Sequence, residues 1–245
     1  MTTLNHLGQP VGDPLPAWTP RPRPPAEVIA GRWCRLEPLD PPRHAVALFE
    51  ANGLDREGRM WTYLPCGPFG NLAEYRAYLD GIAPSDDPLF FAVVDAGLDR
   101  ALGIASFLRI EPAAGSIEVG HLAFSPALQQ SRVATEAMAL MMRLAFDGLG
   151  YRRYEWKCDA LNEPSRRAAL RLGFTYEGTF RQAVVVKGRN RDTAWFSILD
   201  RDWPAVRTAL TAWLDVANFD AEGRQRVSLS SLTCGHRGAP LARAE

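Results

Sequence analysis

The sequence predicts a mixed α/β domain in which helices cover a mostly antiparallel sheet. The first observation is a run of three closely spaced alternating segments, residues 89–94, 103–110 and 116–125, as in a meander of strands. The second is a later succession of strand, helix, strand, helix and strand that ends near residue 199. A meander joined to such a unit gives a sheet whose apolar faces must be covered by helices.

The elements follow from local periodicity. Alternating or apolar runs predict strands at residues 33–38, 89–94, 103–110, 116–125, 151–158, 180–187 and 193–199. Apolar residues at helical spacing predict helices at residues 43–52, 71–82, 134–149 and 162–172. Pro126 cannot donate to a strand ladder and therefore marks the end of a strand. Gly173 is suited to end the last of these helices in a left-handed conformation.

Composition excludes several classes of protein. The chain has 245 residues, of which 47% are hydrophobic and 23% charged, the balance of an ordinary globular protein with a sizeable core. Lys plus Arg and Asp plus Glu number 28 each, so no long-range field favours nucleic acid or an anionic membrane. The amino terminus lacks a basic stretch followed by an apolar one, so we expect no membrane association and a cytoplasmic location.

The four cysteines, Cys34, Cys66, Cys158 and Cys234, are dispersed along the chain. They form no CxxC pair and have no nearby histidine at zinc-ligand spacing. We therefore expect reduced thiols and no metal site.

Three regions differ in composition. Residues 1–25 are rich in proline and predict an extended arm, either a disordered leader or a segment that packs on the domain or a partner through Trp18. Residues 26–210 hold the predicted domain. Residues 211–245 form a C-terminal extension whose tail, from residue 221, has little periodic hydrophobicity and is expected to be loosely ordered.

A candidate anion site lies at the start of the third predicted helix. Residues 120–138 place a strand, a short loop and a helix start in immediate succession. Backbone N–H groups of residues 130–135 would lack helical partners and converge at the positive end of the helix dipole, which suits a pyrophosphate. Any strand, loop and helix of this kind offers such a terminus, so a companion motif is needed.

The companion motif follows the next strand. Residues 134–137 read ATEA, residues 162–165 read NEPS and residues 172–174 read LGF. In order and spacing they resemble the RimJ/RimL-like branch of the GNAT superfamily, and the resemblance covers residues 27–210 at the level of the element pattern. It implies a GNAT fold and an N-acyltransferase, most simply an N-acetyltransferase that uses acetyl-CoA or another acyl-CoA.

The resemblance also implies direct transfer to a primary amine of a small molecule, peptide or protein, within a ternary complex. No Cys–His pair supports a covalent intermediate. A non-catalytic acyl-CoA-binding regulatory domain is the alternative. A homodimer is compatible with the sequence.

Cofactor-binding positions are carried over from the resemblance. Strand residues 119–124 should splay from residues 154–158 and expose backbone groups to the pantetheine arm. The implied binding residues are Leu122, Ala123, Phe124, Gln129, Gln130, Ser131, Arg132, Val133, Ala134, Thr135, Asn162 and Ser165. Arg132 stands where the family usually has a glycine, and its side chain either adds a cationic contact to the pyrophosphate or crowds the loop.

Two catalytic residues are implied. Ser165 would protonate the leaving thiolate, since Ala169 stands where many relatives carry a tyrosine; the competing interpretation is a serine that caps the helix start. Glu118 would act as the base, through water, although a solvent-facing carboxylate in a salt bridge explains it as well. His121 is the alternative base, yet three residues along a regular strand place it on the opposite face from Glu118. A backbone N–H of residues 122–124 would hold the oxyanion.

The sequence says less about the residues that bind the amine acceptor. A late hairpin, with Asn190 in its turn, resembles the branch's acceptor region. Arg189 and Arg191 either bind an acidic acceptor or acyl group or belong to a solvated turn. Trp61 and Tyr63 either wall the acceptor pocket or simply pack in the core.

Overall fold

The computed structural model describes residues 3–234 and contains an eight-stranded mixed sheet with helices on both faces. A small hairpin of β1 (Thr3–Leu4) and β2 (Pro10–Val11) precedes it. The sheet strands are β3 (Ile29–Ala30), β4 (Cys34–Pro38), β5 (Leu89–Asp95), β6 (Arg100–Glu111), β7 (Ser116–Phe124), β8 (Arg153–Asp159), β9 (Thr175–Val186) and β10 (Arg189–Leu199). Their order is β3-β4-β5-β6-β7-β8-β10-β9, and every neighbouring pair is antiparallel except β7 and β8. The predicted fold class is confirmed.

Six α-helices cover the sheet within the described residues. They are α1 (Pro41–Asn52), α2 (Leu72–Ile82), α3 (Arg132–Arg143), α4 (Glu163–Arg171), α5 (Trp203–Leu214) and α6 (Leu229–Thr233). One core lies between the sheet and α1 and α2, and it includes Leu48 and Leu79. The other lies between the sheet and the remaining helices, and it includes Met141 of α3 and Val206 of α5. Short 3₁₀ helices cover Arg59–Trp61 and Val216–Asn218, and α3 ends in a π turn at Leu144–Gly148.

The parallel strands β7 and β8 separate part-way along their length. They pair from Ser116 opposite Arg153 to Val119 opposite Trp156, whereas β7 continues to Phe124 and β8 to Asp159. The predicted splay is therefore present. The unpaired stretch of β7 gives the sheet a gap directly in front of α3.

The N-terminal arm packs on the domain through Trp18. The Trp18 indole Nε1 donates to the Ala113 carbonyl at 2.8 Å, and its ring fills the space that a side chain at Gly115 would need. Arg21 lies over the same ring, 4.4 Å from its centroid, and its backbone N–H donates to the Pro112 carbonyl. Of the two interpretations of the arm, packing on the domain is the one observed.

The C-terminal segment, residues 213–234, packs against the domain at a few residues. Leu229 of α6 is fully buried in the core, and the Asn218 side chain binds backbone groups of Trp213 and Val227. These contacts attach the segment to the domain, whereas residues 221–227 are exposed, and loose order of the tail stays a prediction. Residues 235–245 lie outside the described part of the chain.

The late hairpin turns two residues earlier than predicted. Lys187 and Gly188 form the turn, with φ of 48° and 71°, and Asn190 lies within β10 opposite Val185. Positive φ at both central positions is typical of a type I′ turn, and glycine adopts it readily.

Candidate active site

A cleft of about 1660 Å³ opens where β7 leaves β8. One end reaches the first turn of α3, and the other lies under the β9–β10 hairpin and the 3₁₀ helix at Arg59–Trp61. Between them the walls are the free part of β7, the end of β8 and the start of α4. A cleft of this size and shape fits a long cofactor and a second substrate side by side.

The amino end of α3 offers free backbone donors to this cleft. Ser131 is its N-cap: its Oγ accepts from the Ala134 N–H at 3.0 Å and donates to the Leu128 carbonyl at 2.6 Å. The N–H groups of residues 130–133 have no acceptor among the described residues. Four such donors at the positive end of a helix form an anion site.

Arg132 does not need the conformational freedom of glycine. It is the first residue of α3 and has helical backbone angles, while the left-handed position in the loop is Gln130, with φ of 57°. The Arg132 guanidinium lies between two aromatic rings, 4.4 Å from the centroid of Trp33 and 4.6 Å from that of Phe219. Its side chain is thereby held on the rim of the cleft.

Two further residues of the ATEA motif are buried. The Thr135 hydroxyl donates to the Ser131 carbonyl at 3.1 Å and accepts from Arg171 at 3.2 Å. The Glu136 carboxylate accepts backbone N–H groups of residues 32–34 and so fastens α3 to the turn between β3 and β4. Glu136 therefore positions the helix and lies outside the lining of the cleft.

Asn162 and Ser165 make different contacts at the start of α4. Asn162 caps α4 by accepting the Ser165 N–H at 3.1 Å, so the capping role considered for Ser165 belongs to Asn162. The Ser165 hydroxyl accepts from the Trp156 indole at 3.0 Å and lies in the wall of the cleft. Burial raises the pKa of the nearby Cys158 thiol, and a hydrogen bond from Ser165 opposes this rise.

Glu118 is buried, with an exposed fraction of 3%. Its Oε2 contacts Arg109 at 2.6 Å and Lys157 at 2.9 Å. Lys157 also contacts Glu155 at 2.8 Å and lies over the Trp195 ring. The interpretation of Glu118 as a solvent-facing surface carboxylate is therefore wrong, although it does form ion pairs.

His121 lies on the same face of β7 as Glu118, contrary to the prediction from regular alternation. Ser106 of β6 pairs with Gly120 and Ile104 with Ala123, so a β-bulge places two β7 residues opposite one. The bulge shifts the alternation by one residue, and His121, with φ of 49°, packs against Phe90 and lines the cleft beside Glu118.

The imidazole of His121 is fixed by Ser106. The buried Ser106 hydroxyl donates to the Gly120 carbonyl at 3.1 Å and lies 3.0 Å from His121 Nδ1. A hydroxyl has one proton, so both bonds form together only when Nδ1 carries the imidazole proton and Nε2 is an acceptor. Burial first, and then the charge of Arg109, lower the pKa of His121 below 6.5.

Of the two aromatic residues proposed for the acceptor end, only one lines the cleft. Tyr63 lines the cleft and donates to the Leu161 carbonyl at 3.2 Å. Trp61 belongs to the core beside Phe69 and is absent from the cleft wall. The two arginines differ in the same way, because Arg191 lines the cleft while Arg189 is exposed outside it.

Sequence reasoning missed several residues that line or shape the cleft: Arg109, Lys157, Arg171, Trp195, Trp213 and Phe219. Arg171 and the two C-terminal aromatic residues carry no local motif. Lys157 alternates with inward-facing residues on β8, which was the one available signal.

Residues 34–175 match the model of the acetyltransferase (GNAT) domain, which covers more than half of the chain. The chain belongs to the GNAT acetyltransferase family. It is an N-acetyltransferase whose acetyl donor is acetyl-CoA, and the prediction of an enzyme is confirmed. The free amides at the start of α3 and the open edge of β7 fit this donor.

Solved structures support the assignment over nearly the whole chain. A GCN5-related N-acetyltransferase from Brucella melitensis is 48% identical, with a TM-score of 0.88, and the match covers 90% of this chain and 100% of that one. A probable GNAT-family acetyltransferase from Chromobacterium violaceum is 43% identical, with a TM-score of 0.74, over 80% of this chain and 98% of that one.

Curated relatives of low identity are consistent with the RimJ/RimL-like branch. The ribosomal-protein-serine acetyltransferase of Escherichia coli (strain K12) is 35% identical over 85 residues, which are 35% of this chain and 47% of that protein. The putative ribosomal N-acetyltransferase YdaF of Bacillus subtilis (strain 168) is 28% identical over 113 residues, 45% of this chain and 61% of that protein.

Within residues 3–234, no three His, Cys, Asp or Glu side chains come together as a metal site. No helix there has the length and apolar character needed to cross a membrane.

Proposed function

We propose that the acetyltransferase moves the acetyl group directly from acetyl-CoA to a primary amine bound between β7 and the β9–β10 hairpin. The observation that carries this proposal is the meeting, in one cleft, of the anion site at α3 with Glu118, His121 and Ser165. The diphosphate would bind the amides of residues 130–133, and the pantetheine arm would pair with the free edge of β7 at residues 122–124. This arrangement directs the thioester towards Ser165.

Glu118 supplies negative charge next to the attacking amine. Oε2 contacts Arg109 and Lys157, and the second carboxylate oxygen, Oε1, would bind a water molecule or the ammonium form of the acceptor. Glu118 can thereby attract the acceptor and receive its proton through water. Arg109 and Lys157 hold the carboxylate at this place in the cleft.

His121 is the second group that can accept the proton. Its lowered pKa keeps the imidazole neutral at pH 7, and the hydrogen bonds of Ser106 leave the Nε2 lone pair available. The bulge brings this nitrogen to the face that carries Glu118. The two residues can therefore divide the attraction of the amine and the removal of its proton between them.

Ser165 would complete the reaction at the sulfur. Since its hydroxyl accepts from Trp156, its own proton remains to be donated, and its hydrogen bond lowers the pKa of Cys158, which supports a role in stabilising a thiolate. A backbone N–H of residues 122–124 would hold the oxyanion of the tetrahedral intermediate. Because the raised pKa of Cys158 keeps this thiol protonated, Cys158 is a poor nucleophile, which favours direct transfer.

The test is a thiol-release assay with acetyl-CoA and a panel of amino acids, peptides, polyamines and aminoglycosides. We expect Glu118→Gln, His121→Gln and Ser165→Ala each to lower kcat/KM by about 100-fold, the usual scale of acid–base catalysis. Glu163→Gln is the control, because Glu163 is an exposed residue of α4 outside the cleft. Equal rates for the wild type and all three site variants would refute the catalytic assignment.

The dependence of kcat/KM on pH distinguishes His121 from Glu118 as the base. A neutral His121 is active and a protonated one is not, so kcat/KM should fall as the pH drops through its pKa, below 6.5. If His121 is the base, His121→Gln removes this acidic limb. If the limb persists unchanged in His121→Gln and disappears in Glu118→Gln, Glu118 is the base.

A further inference from the structure

Two arginines flank the amino end of α3 without any acidic partner among the described residues. Arg171, at the end of α4, donates to Thr135 Oγ1 at 3.2 Å, and Arg132 begins α3 itself. Neither forms a salt bridge, and burial lowers the pKa of Arg171. A partly buried cation without a counter-charge is unfavourable unless an anion binds to it.

The C-terminal segment orients both guanidinium groups. Arg171 lies over the ring of Trp213, 4.8 Å from its centroid, and Arg132 lies over Phe219. Trp213 and Phe219 pack edge to face, with ring centroids 5.1 Å apart, and the Trp213 indole donates to Gln225 Oε1 at 2.7 Å. The rings are therefore fixed, and so are the cations that stack on them.

This part of the cleft lies outside the matched family domain. The GNAT model ends at residue 175, whereas Trp213, Phe219 and residues 222–225 line the phosphate end of the cleft. The acidic residue among them, Glu222, is paired with Arg224 at 3.0 Å. The net charge that this end presents to a ligand is therefore positive.

We propose that Arg132 and Arg171, held on the aromatic rings of the C-terminal segment, bind the phosphate groups of CoA and make cofactor affinity depend on that segment. The proposal rests on the use of acetyl-CoA by the chain and adds Arg171 and the C-terminal segment to its binding site. Guanidinium groups suit this role because they bind phosphate through paired hydrogen bonds while stacking on an aromatic ring.

Calorimetry with CoA on the full chain tests this directly. We expect Arg171→Met and Arg132→Gly each to raise the Kd by about 10-fold, the scale of one charge-assisted contact. Arg207→Met is the matched control, an arginine of α5 outside the cleft whose Kd should stay within about twofold of the wild type. Arg171→Lys keeps the charge without the planar stack and should give an intermediate Kd, and it replaces Arg171→Met if that variant fails to fold.

Two further measurements locate the contact. The salt dependence of the Kd should be shallower in Arg171→Met, because one phosphate contact is lost. Comparison with dephospho-CoA, which lacks the 3′-phosphate, assigns the contact. If Arg171→Met weakens the binding of CoA alone, Arg171 contacts the 3′-phosphate. If it weakens the binding of both ligands equally, Arg171 contacts the diphosphate.

An unchanged Kd in Arg171→Met, or tighter binding by Arg132→Gly, overturns the proposal. If the wild type binds no CoA, the proposed function fails with it, whereas wild-type binding with unaffected variants refutes this inference alone.

Discussion

Two arginines of β10, only two residues apart, have different surroundings. Arg191 lines the cleft close enough to Cys158 for its charge to oppose the rise in the pKa of that thiol, and its buried Nε has no hydrogen-bond partner within residues 3–234. Arg189 is exposed and outside the cleft. An unpaired cation beside the acceptor end favours an acceptor that carries an anionic group, such as a carboxylate, near its amine.

Variants of Arg191 and Arg189 can be compared in a matched experiment. We expect Arg191→Met to raise KM by about 10-fold for amines that carry a carboxylate, because one charge-assisted hydrogen bond is lost. For polyamines, which have no anionic group, the KM should stay the same or fall. Arg189→Met should change neither value. Equal effects of Arg191→Met on both classes of amine would contradict a carboxylate-bearing acceptor.

At the scale of elements, α3 is fixed by a contact close to its amino end. The Glu136 carboxylate accepts three backbone N–H groups of the turn between β3 and β4, and its oxygens lie where a side chain at Gly31 would stand. This contact joins the fifth residue of α3 to the edge of the sheet that holds β3 and β4. The position of the anion site thus depends on a buried acceptor that takes no part in binding.

Removal of this acceptor should destabilise the fold. We expect Glu136→Ala to lower the free energy of unfolding by about 3 kcal/mol, because three partly or fully buried N–H groups lose a charged partner. Denaturant melts with Glu163→Ala as the exposed control provide the measurement. A change in the free energy of unfolding below about 0.5 kcal/mol, the range of ordinary surface substitutions, would show that the hydrogen bonds of Glu136 do not stabilise the fold.

At the scale of the whole molecule, both chain ends pack on the domain, each at a different place. The arm binds the turn between β6 and β7 through Trp18, at the end of β7 where that strand still pairs with β8. The C-terminal segment covers the opposite end, where the strands have separated. Trp18 and the segment of residues 213–234 therefore pack at opposite ends of β7.

The arm should contribute stability without affecting the cofactor. We expect Trp18→Ala to lower Tm by about 3 °C, from the loss of roughly 1 kcal/mol of ring packing and cation–π contact. The Kd for CoA should not change, since Trp18 is absent from the cleft. Leu7→Ala, at an exposed position of the arm, is the control. A changed Kd in Trp18→Ala would mean that the arm also shapes the active site.

Local signals were enough to predict much of this protein. The main strands and helices rest on periodicity. The anion site before α3 and its pairing with Asn162 and Ser165 rest on motifs of a few residues and stay predictions. The left-handed Gly173, with φ of 98°, was predicted for the same reason. By contrast, α5 carried apolar residues at helical spacing, at Trp203, Val206, Leu210 and Trp213, and was still missed.

Only the tertiary structure decided the surroundings of the proposed catalytic groups. One extra residue in β7 turned His121 towards Glu118, and regular alternation along a strand cannot reveal a bulge whose partner is another strand. The cations around Glu118 come from β6 and β8, and the aromatic supports of Arg132 and Arg171 come from the C-terminal segment. Periodicity specifies each element because it depends on neighbours three or four residues away. Charge pairing and burial depend on residues that are distant in sequence and meet only when the sheet has formed.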